Sequence, residues 1–421
     1  MTAEPVSAPA GAVSPATPSA VTSPAAAAGR PPAFDPRDPL GLDELLDAEE
    51  LAVRDTMRRW AADRVLPHLA DWFERGEVPE IRELARELGA LGALGMHLQG
   101  YGCAGASAVS YGLACLELEA ADSGIRSLVS VQGSLAMYAV HRYGSEEQRR
   151  AWLPRMATGE VIGCFGLTEP DHGSDPAGMR TRAARRGGDW VLTGRKTWIT
   201  NAPVAGVAVV WAGTEEGVRG FLVPVGTPGF AATEIRHKGS LRASVTGELT
   251  LDEVRLPADA ALPGARGLRA PLSCLSHARY GIVWGAMGAA RTCFETALEY
   301  ARTREQFGRP IGGFQLTQAK LADMAVELHK GLLLAWHLGR RMDARRLRPE
   351  QVSFGKLNNV REALEICRTA RTILGANGIS LEYPVIRHMA NLESVLTYEG
   401  TSEMHQLVLG KALTGLDAFR G

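Results

Sequence analysis

The stretch "VIGCFGLTEPDHGSDPAG", residues 161–178, marks the point at which the chain changes its periodicity. Upstream, from about residue 40, apolar residues recur every three or four positions, which is typical of helices. From residue 161 the segments become short, rich in Val, Thr, Leu and Trp, and separated by Gly, Pro and charged turns, which is typical of strands. The run "ARRGGDW" predicts a hairpin within this region. Helical spacing returns near residue 273, so the order helices, sheet, helices predicts a multi-domain α+β fold that is mainly α-helical.

A chain of 421 residues is too long to fold around one ordinary hydrophobic core, so we expect several domains. The changes in periodicity indicate where their boundaries lie. We predict an N-terminal α-helical domain over 38–160, a middle β domain over 161–272 and a C-terminal α-helical bundle over 273–421. Residues 1–37 are predicted to be a disordered tail, because 22 of the first 30 are Ala, Pro, Ser or Thr. The tail resembles neither a secretory signal nor an Arg-rich transit peptide, so we expect a cytoplasmic protein.

Composition excludes several classes of function. The formal net charge of -1 shows no basic excess, which argues against a nucleic-acid partner. No apolar run reaches the roughly 20 residues of a membrane span. The six cysteines are scattered without a C-x-x-C pair, which predicts reduced thiols and no metal site. The absence of G-x-G-x-x-G, P-loop, H-E-x-x-H and G-x-S-x-G patterns weakens NAD-binding, nucleotide-hydrolysing, zinc-hydrolase and serine-esterase interpretations.

Three segments have the chemistry of a cofactor site, each with a purely structural alternative. The loop in "CFGLTEPDHGSDPAG" offers small hydroxyls and backbone donors to a ring edge or phosphate, although polar loops are common. In "KTWITNAP", 196–203, the Trp could stack on a flat ring, or it could be a buried Trp at a strand end. In "RTREQFGRPIGGFQ", 302–315, arginines gather near a helix start, as a pyrophosphate requires, or form a solvated basic turn.

Glu399 is the candidate general base. It lies between Tyr398 and Gly400, just before a predicted helix N-cap at Thr401 or Ser402. A carboxylate on a tight turn, beside a glycine that lets a substrate approach, is suited to proton removal. Alternatively, Glu399 only complements the dipole of the following helix.

Arg126 raises a separate question. It lies within "LELEAADSGIRSLVSVQGSL", residues 116–135, where apolar residues recur at roughly helical spacing. A guanidinium in such surroundings keeps its proton and therefore needs an anionic partner. The residues alone favour an ion pair within the chain, to Glu119 or Asp122.

The motifs "CFGLTEPDHGSD", "TWIT", "TREQFGRPIGGFQ", "LGANGI" and "YEGTSEM" resemble, in order and spacing, those of the acyl-CoA dehydrogenase family. The resemblance covers roughly residues 40–421. It implies the family fold of helical, β and helical domains, bound FAD, an acyl-CoA substrate, a homotetramer, and an electron-transferring flavoprotein as partner. It also implies that Glu399 removes the α-proton of the thioester while the β-hydrogen leaves as hydride to flavin N5.

Within the family, the segments "DSGIRSLVSVQ" and "YPVIRHMANLESVLTYEGT" resemble those of the glutaryl-CoA dehydrogenases. This implies that Arg126 binds the distal carboxylate of glutaryl-CoA. Loss of CO2 and return of the proton by Glu399 would then give crotonyl-CoA, a step of lysine and tryptophan degradation. The chain departs from the glutaryl pattern at Gly133, at Ala376 and at the Ser402–Glu403 pair. These departures leave two alternatives open: a general short-chain acyl-CoA dehydrogenase, or an enzyme for another dicarboxylyl thioester.

The resemblance also assigns the site residues. The substrate contacts it implies are Arg126, Ser127, Ser130, Glu119, Ser174, Arg279, Tyr398 and Gly400. The FAD contacts it implies are Phe165, Leu167, Thr168, Ser174, Trp198, Ile199, Thr200, Arg304, Phe307, Gln315, Leu374, Gly375, Thr401 and Phe419. Part of the second set would come from a neighbouring subunit.

Overall fold

The structure is a computed structural model that describes residues 34–418. Most of the predicted tail, and Phe419 among the predicted cofactor residues, lie outside this described range. The helices before the sheet are α1 (Ala48–Arg64), α2 (Leu69–Arg75), α3 (Ile81–Ala90), α4 (Ala108–Ala121), α5 (Ser123–Ser130), α6 (Tyr138–Tyr143) and α7 (Glu146–Ala157), with a π-helical segment, Val131–Met137, joining α5 to α6.

Side-chain caps decide where several of these helices begin. Asp47 accepts a hydrogen bond from the backbone N–H of Glu50, and the Glu50 carboxylate accepts one from the N–H of Asp47, which closes a capping box at α1. Ser145 and Gln148 form the same reciprocal pair at α7. Such caps satisfy donors that have no partner within the helix, so the polar pattern of the sequence fixes the helix starts.

The middle region is a seven-stranded sheet in the described chain. Its strands are β1 (Gly163–Gly166), β2 (Arg182–Arg186), β3 (Asp189–Thr200), β4 (Val207–Thr214), β5 (Gly217–Pro224), β6 (Phe230–Glu234) and β7 (Thr246–Leu256). Their order is β1-β4-β2-β3-β7-β6, and β5 pairs with β4. The predicted hairpin is confirmed, because β2 and β3 pair antiparallel across Gly187 and Gly188.

Helices return after the sheet, as predicted. They are α8 (Arg269–Thr303), α9 (Gln315–Asp343), α10 (Pro349–Ile373), α11 (Val385–Thr397) and α12 (Ser402–Thr414), and a short hairpin, β8 (Glu305–Gln306) with β9 (Arg309–Pro310), separates α8 from α9. The predicted order of helical, β and helical regions is thereby confirmed.

The core that positions the site is centred on α4, which packs on α8. Nearly all of α4 is buried. The two helices approach so closely that a Cβ at Gly288 of α8 would lie 2.0 Å from the carbonyl oxygen of Leu116. This close approach buries the acidic residues of α4 along with the apolar ones, so Glu117 and Glu119 require cationic partners.

Gly133, one of the departures from the glutaryl pattern, has a packing reason. It lies in the π-helical segment against the loop before α4, where an added Cβ would be 2.8 Å from the backbone N of Gly95. Any larger residue at position 133 would push this loop away. No helix among residues 34–418 is long and apolar enough to cross a membrane.

Candidate active site

The loop between α11 and α12 holds Glu399 in an unusual backbone conformation. Glu399 has φ +52°, in the left-handed region that non-glycine residues rarely occupy, and Gly400 follows with φ +99°. The α12 N-cap is Thr401, whose hydroxyl accepts a hydrogen bond from the N–H of Met404 at 3.4 Å. A strained residue fixed between two helices is typical of a functional turn.

The Glu399 carboxyl group is buried, and its Oε2 atom has no hydrogen-bond partner in the described chain. Burial raises the pKa of this carboxyl, whereas the positive charges of Arg126, Lys356 and Arg279 act in the opposite direction. The balance leaves the pKa above its ordinary value, which suits a group that must both take and return a proton.

Arg126 of α5 lies directly beside this turn. Its Nη2 donates a hydrogen bond to the hydroxyl of Tyr398, the residue before Glu399. Its Nε lies 2.6 Å from Oε2 of Glu119, and both side chains are almost completely buried. Its Nη1 donates to no acceptor among residues 34–418, so one arm of the guanidinium remains available to a ligand.

The structure decides between the two internal partners considered for Arg126. Asp122 is not one of them, because it accepts hydrogen bonds from Arg387 at 2.6 Å and Asn391 at 2.8 Å. Glu119 is the partner, and its second oxygen accepts a bond from Ser123 at 2.8 Å. The prediction of an Arg126–Asp122 pair is therefore wrong and that of an Arg126–Glu119 pair is confirmed.

Two of the three predicted substrate serines, Ser127 and Ser130, are buried on α5. The hydroxyl of Ser130 has no hydrogen-bond partner within the described residues. An unpaired buried hydroxyl is costly, which makes Ser130 a candidate ligand contact.

Lys356 is a site residue that the sequence prediction missed. It lies on α10, is 2% exposed, and donates hydrogen bonds of 2.6 Å to the carbonyl oxygens of both Tyr398 and Gly400. Arg279, predicted to touch the substrate, donates from Nε to the carbonyl oxygen of Glu399 at 2.6 Å. The only sequence signal for Lys356 is a lysine among apolar positions of a helix.

The loop after β1 is fastened by a buried ion pair. Lys196 of β3 lies 2.8 Å from Oε1 of Glu169, and the same carboxylate accepts bonds from the N–H groups of Arg180 and Thr181. Burial acts to raise the pKa of Glu169, but these bonds outweigh it and hold the pKa at about 2. Lys196 also donates to the carbonyl oxygen of Leu167 at 3.1 Å, so these bonds hold both ends of the segment 167–181, which carries Thr168 and Ser174.

Trp198 presents an open aromatic face. It lies at a bulge in the pairing of β3 with β7, has φ +59°, and its side chain is 60% exposed. The alternative of a buried Trp is therefore wrong. The neighbouring Ile199 is buried in the sheet, and Thr200 is half-buried beside it.

The other predicted flavin residues of the sheet divide between the core and the surface. Phe165 and Leu167 are buried, and the Phe165 ring packs against Trp211. Thr168 accepts a bond from the N–H of Thr197 at 3.0 Å, and Ser174 is exposed.

A second group of predicted cofactor residues lies at the ends of the long helices. Arg304 follows α8, Gln315 begins α9, and both are exposed. Phe307, at the tip of the β8–β9 hairpin, is 95% exposed. Leu374 is buried and Gly375 is exposed after α10, where Asn377 donates to Tyr300 of α8 at 3.1 Å. No hydrogen bond, ion pair or ring contact in the described chain joins this group to Trp198.

Comparison with known proteins agrees with this arrangement. The N-terminal, middle and C-terminal domain models of acyl-CoA dehydrogenases match residues 47–160, 164–254 and 265–414. The chain belongs to the acyl-CoA dehydrogenase family. The predicted fold is thereby confirmed, as is the prediction of a flavin-dependent oxidoreductase acting on CH–CH bonds.

Solved structures and curated relatives extend the comparison within the acyl-CoA dehydrogenase family. A glutaryl-CoA dehydrogenase from Mycobacterium smegmatis is 70% identical, with a TM-score of 0.90 over 91% of this chain and 99% of that one. A glutaryl-CoA dehydrogenase from the same organism, in complex with FADH2, is 63% identical, with a TM-score of 0.90 over 92% and 100%. The human mitochondrial short-chain specific acyl-CoA dehydrogenase is 34% identical over 87% of this chain and 90% of its own length.

Proposed function

We propose that this acyl-CoA dehydrogenase oxidises glutaryl-CoA and decarboxylates it to crotonyl-CoA and CO2. The observation that carries the proposal is the buried Arg126, which is linked through Tyr398 to the turn of Glu399 and keeps Nη1 free of internal acceptors. A planar guanidinium in a dry pocket binds a carboxylate strongly. The similarity to two glutaryl-CoA dehydrogenases at 63–70% identity supports the same substrate.

Glu399 takes the α-proton in this mechanism. Its unpartnered Oε2 is the acceptor, and burial raises its pKa so that the proton is held after transfer. The backbone N–H of Glu399 has no acceptor among residues 34–418, so it is free to donate to the thioester oxygen as negative charge develops there.

The chain offers surfaces that fit FAD. Trp198 presents an exposed aromatic face next to the loop fixed by Glu169 and Lys196, and Phe307 with Arg304 offers a second exposed aromatic and cationic surface. Trp198, Thr168 and Thr200 would hold the ring system, and Arg304, Phe307 and Gln315 the pyrophosphate and adenosine. When bound, the flavin accepts the β-hydrogen as hydride.

Decarboxylation is the second half of the proposed reaction. After oxidation, the distal carboxylate is attached to the γ-carbon, next to the new α,β double bond, so the electrons of its C–C bond can delocalise through that double bond into the thioester carbonyl. Its C–C bond breaks, CO2 leaves, and the electron pair moves into the thioester to form a dienolate. Tyr398, already bonded to Arg126, orders the carboxylate, and protonated Glu399 returns its proton to carbon to give crotonyl-CoA.

The test compares glutaryl-CoA with butyryl-CoA on the purified flavoprotein under anaerobic conditions. Flavin bleaching and product mass are measured for the wild type, for Arg126→Met, and for Arg126→Met combined with Glu119→Gln. The double variant removes both charges of the buried pair and separates substrate binding from stability. We expect both variants to lose glutaryl-CoA turnover at least tenfold more than butyryl-CoA turnover.

A general short-chain acyl-CoA dehydrogenase is the second candidate, because Glu119 already neutralises Arg126 within the chain. Faster bleaching of the wild type by butyryl-CoA, with equal losses on both substrates in the variants, would establish this alternative. Oxidation of glutaryl-CoA without release of CO2 would reject the decarboxylation step alone.

We also propose a homotetramer that passes electrons to an electron-transferring flavoprotein. Large exposed apolar side chains on the C-terminal helices and hairpin, notably Phe307, Leu316 and Leu413, support burial against other subunits. The cytoplasmic location and the place in lysine and tryptophan degradation stay predictions.

A further inference from the structure

Each of the three carbonyl groups in the turn 398–400 is held by a cation. Lys356 donates to the carbonyls of Tyr398 and Gly400, at 2.6 Å each, and Arg279 donates to that of Glu399 at 2.6 Å. Short bonds from charged donors are stronger than those between neutral groups. Two cations thus fix the orientation of three successive peptide groups around the candidate base.

The cost of burying Lys356 indicates that this arrangement has a purpose beyond folding. The residue is 2% exposed, and burial lowers the pKa of its amine to about 7. A buried ammonium is expensive unless it is paired. Its hydrogen-bond acceptors here are two neutral carbonyls, and it has no ion pair with a carboxylate within 4.0 Å among the described residues.

Peptide geometry gives the consequence for Glu399. No peptide bond among the described residues is cis. In a trans peptide the C=O of one residue and the N–H of the next point in opposite directions. Lys356 pulls the carbonyl of Tyr398 toward α10, so the N–H of Glu399 points away from α10, and nothing in residues 34–418 accepts it.

We propose that Lys356 is a positioning residue: it aims the N–H of Glu399 at the thioester oxygen and places positive charge beside the Glu399 carboxylate. The inference rests on the proposed acyl-CoA dehydrogenation but not on glutaryl-CoA as the substrate. It assigns Lys356 to both parts of the enolisation step, stabilisation of the oxyanion and tuning of the base.

Charged and titratable groups face Glu399 from several elements. They are Cys115 and Glu119 on α4, Arg126 on α5, Arg279 on α8, Lys356 on α10, Tyr398 at the end of α11 and His405 on α12. Burial, and to a smaller extent the nearby cations, lower the pKa of His405 to about 3. His405 therefore stays neutral over the pH range of the assay. Within this set, Lys356 combines a charge beside the carboxylate with hydrogen bonds on both sides of Glu399.

The test uses the holoenzyme and three variants. Lys356→Met removes the charge and the donors, whereas Lys356→Gln removes the charge and keeps an N–H2 donor. Lys330→Met is the matched control, because Lys330 pairs with Glu327 on the surface of α9, away from the turn. Flavin content and melting temperature are recorded for each protein.

The probe is acetoacetyl-CoA, whose α-proton leaves without any oxidation. Its enolate absorbance therefore reports proton transfer and oxyanion stabilisation independently of hydride transfer. We expect Lys356→Met to lower the enolate fraction at least tenfold, Lys356→Gln to lower it less, and Lys330→Met to leave it unchanged.

The second readout is the pH dependence of flavin reduction, measured with whichever acyl-CoA the wild type oxidises. Activity on the acid side requires ionised Glu399. Removal of a nearby positive charge raises the pKa of that carboxyl. The acid limb of the pH–rate profile, where the rate falls as Glu399 becomes protonated, should therefore move to higher pH by a similar amount in both Lys356 variants. Loss of packing alone would not move this limb.

The outcomes separate this inference from the proposed function. If Lys356→Met retains flavin, forms the enolate like the wild type and keeps its acid limb, Lys356 is only structural and the inference is overturned. If Lys356→Met does not fold, the same comparison is made with Lys356→Gln. A wild type that forms the enolate but does not oxidise glutaryl-CoA rejects the proposed substrate and leaves the Lys356 comparison intact; a wild type that forms no enolate overturns the inference.

Discussion

Nε of Arg126 lies 2.6 Å from Oε2 of Glu119, and the two side chains are 1% and 0% exposed. The internal partner and the proposed substrate role are compatible, because a guanidinium has five N–H donors and Glu119 uses only the Nε side. Glu119 thereby holds the fork in one orientation. A single substitution of Arg126 changes both substrate binding and the balance of buried charge.

The first prediction concerns the stability contributed by this pair. Glu119→Gln leaves the buried Arg126 charge without its counterion, and removal of one partner of a buried pair costs about 3–5 kcal/mol. We expect a loss of this order in the free energy of unfolding, measured by denaturant titration. Arg126→Met with Glu119→Gln should recover most of it, and an equal loss in the single and double variants would contradict this account.

The second prediction is that replacing Glu399 lowers activity and raises stability. Glu399→Gln removes the base, so flavin reduction should slow by about 10²–10⁴-fold. Because burial raises the pKa of Glu399, the folded state binds the proton more tightly than the unfolded state. Ionisation therefore costs stability as pH rises above the unfolded carboxyl pKa of about 4.3.

It follows that Glu399→Gln should be more stable than the wild type at pH 7 and equal to it near pH 3, where both states are protonated. Thermal unfolding at the two pH values measures this difference. A variant less stable than the wild type at pH 7 would show that the cations around Glu399 outweigh its burial.

Sequence prediction succeeded where the signal is local. The turn at Glu399 was predicted because a carboxylate, a glycine and an N-cap follow one another within four residues, and the structure confirms the N-cap at Thr401. The helices and the β2–β3 hairpin were likewise predicted from caps, periodicity and paired glycines.

The missed features depend on contacts between distant parts of the chain. Lys356 reaches the turn only because α10 packs beside α11 and α12, and nothing in its own segment indicates that contact. The exposed Trp198 depends on a bulge in the pairing with β7, about fifty residues further on. The family resemblance assigned Trp198 to the flavin, and its exposed ring is compatible with that prediction, but the resemblance does not explain its conformation.

The third prediction concerns Gly400. An added Cβ would lie 3.0 Å from Nε2 of His405 and 3.3 Å from Nη2 of Arg279, and the φ of +99° is strained for any residue with a side chain. Gly400→Ala should destabilise the protein by about 1–3 kcal/mol. Because the turn must shift, the rate of flavin reduction should fall at least tenfold.

Gly410 provides the matched control for this substitution. It lies within α12, and an added Cβ would meet nothing within 4 Å. Gly410→Ala should stabilise the helix by up to about 1 kcal/mol and leave the rate of flavin reduction unchanged. If both variants behave alike, the conformation of Gly400 does not matter to the turn.

The last prediction concerns the Glu169–Lys196 pair that fastens the loop after β1. The carboxylate has a pKa of about 2 in the folded protein, below the ordinary value of about 4.3. A lowered carboxyl pKa contributes stability that is present above the unfolded pKa and is lost as pH falls through the folded one. The wild type should therefore lose part of its stability between pH 4.3 and 2 through this group.

Glu169→Gln tests this directly. At pH 7 it should cost about 3–5 kcal/mol, because it removes one partner of a buried ion pair, and its deficit relative to the wild type should shrink as pH falls toward 2. The variant should also release flavin more readily, since Glu169 holds the backbone of Arg180 and Thr181. Glu160→Gln, which disrupts the exposed pair with Arg155, is the control. A deficit in Glu169→Gln that is independent of pH would show that the carboxylate acts through its shape and hydrogen bonds and not through its charge.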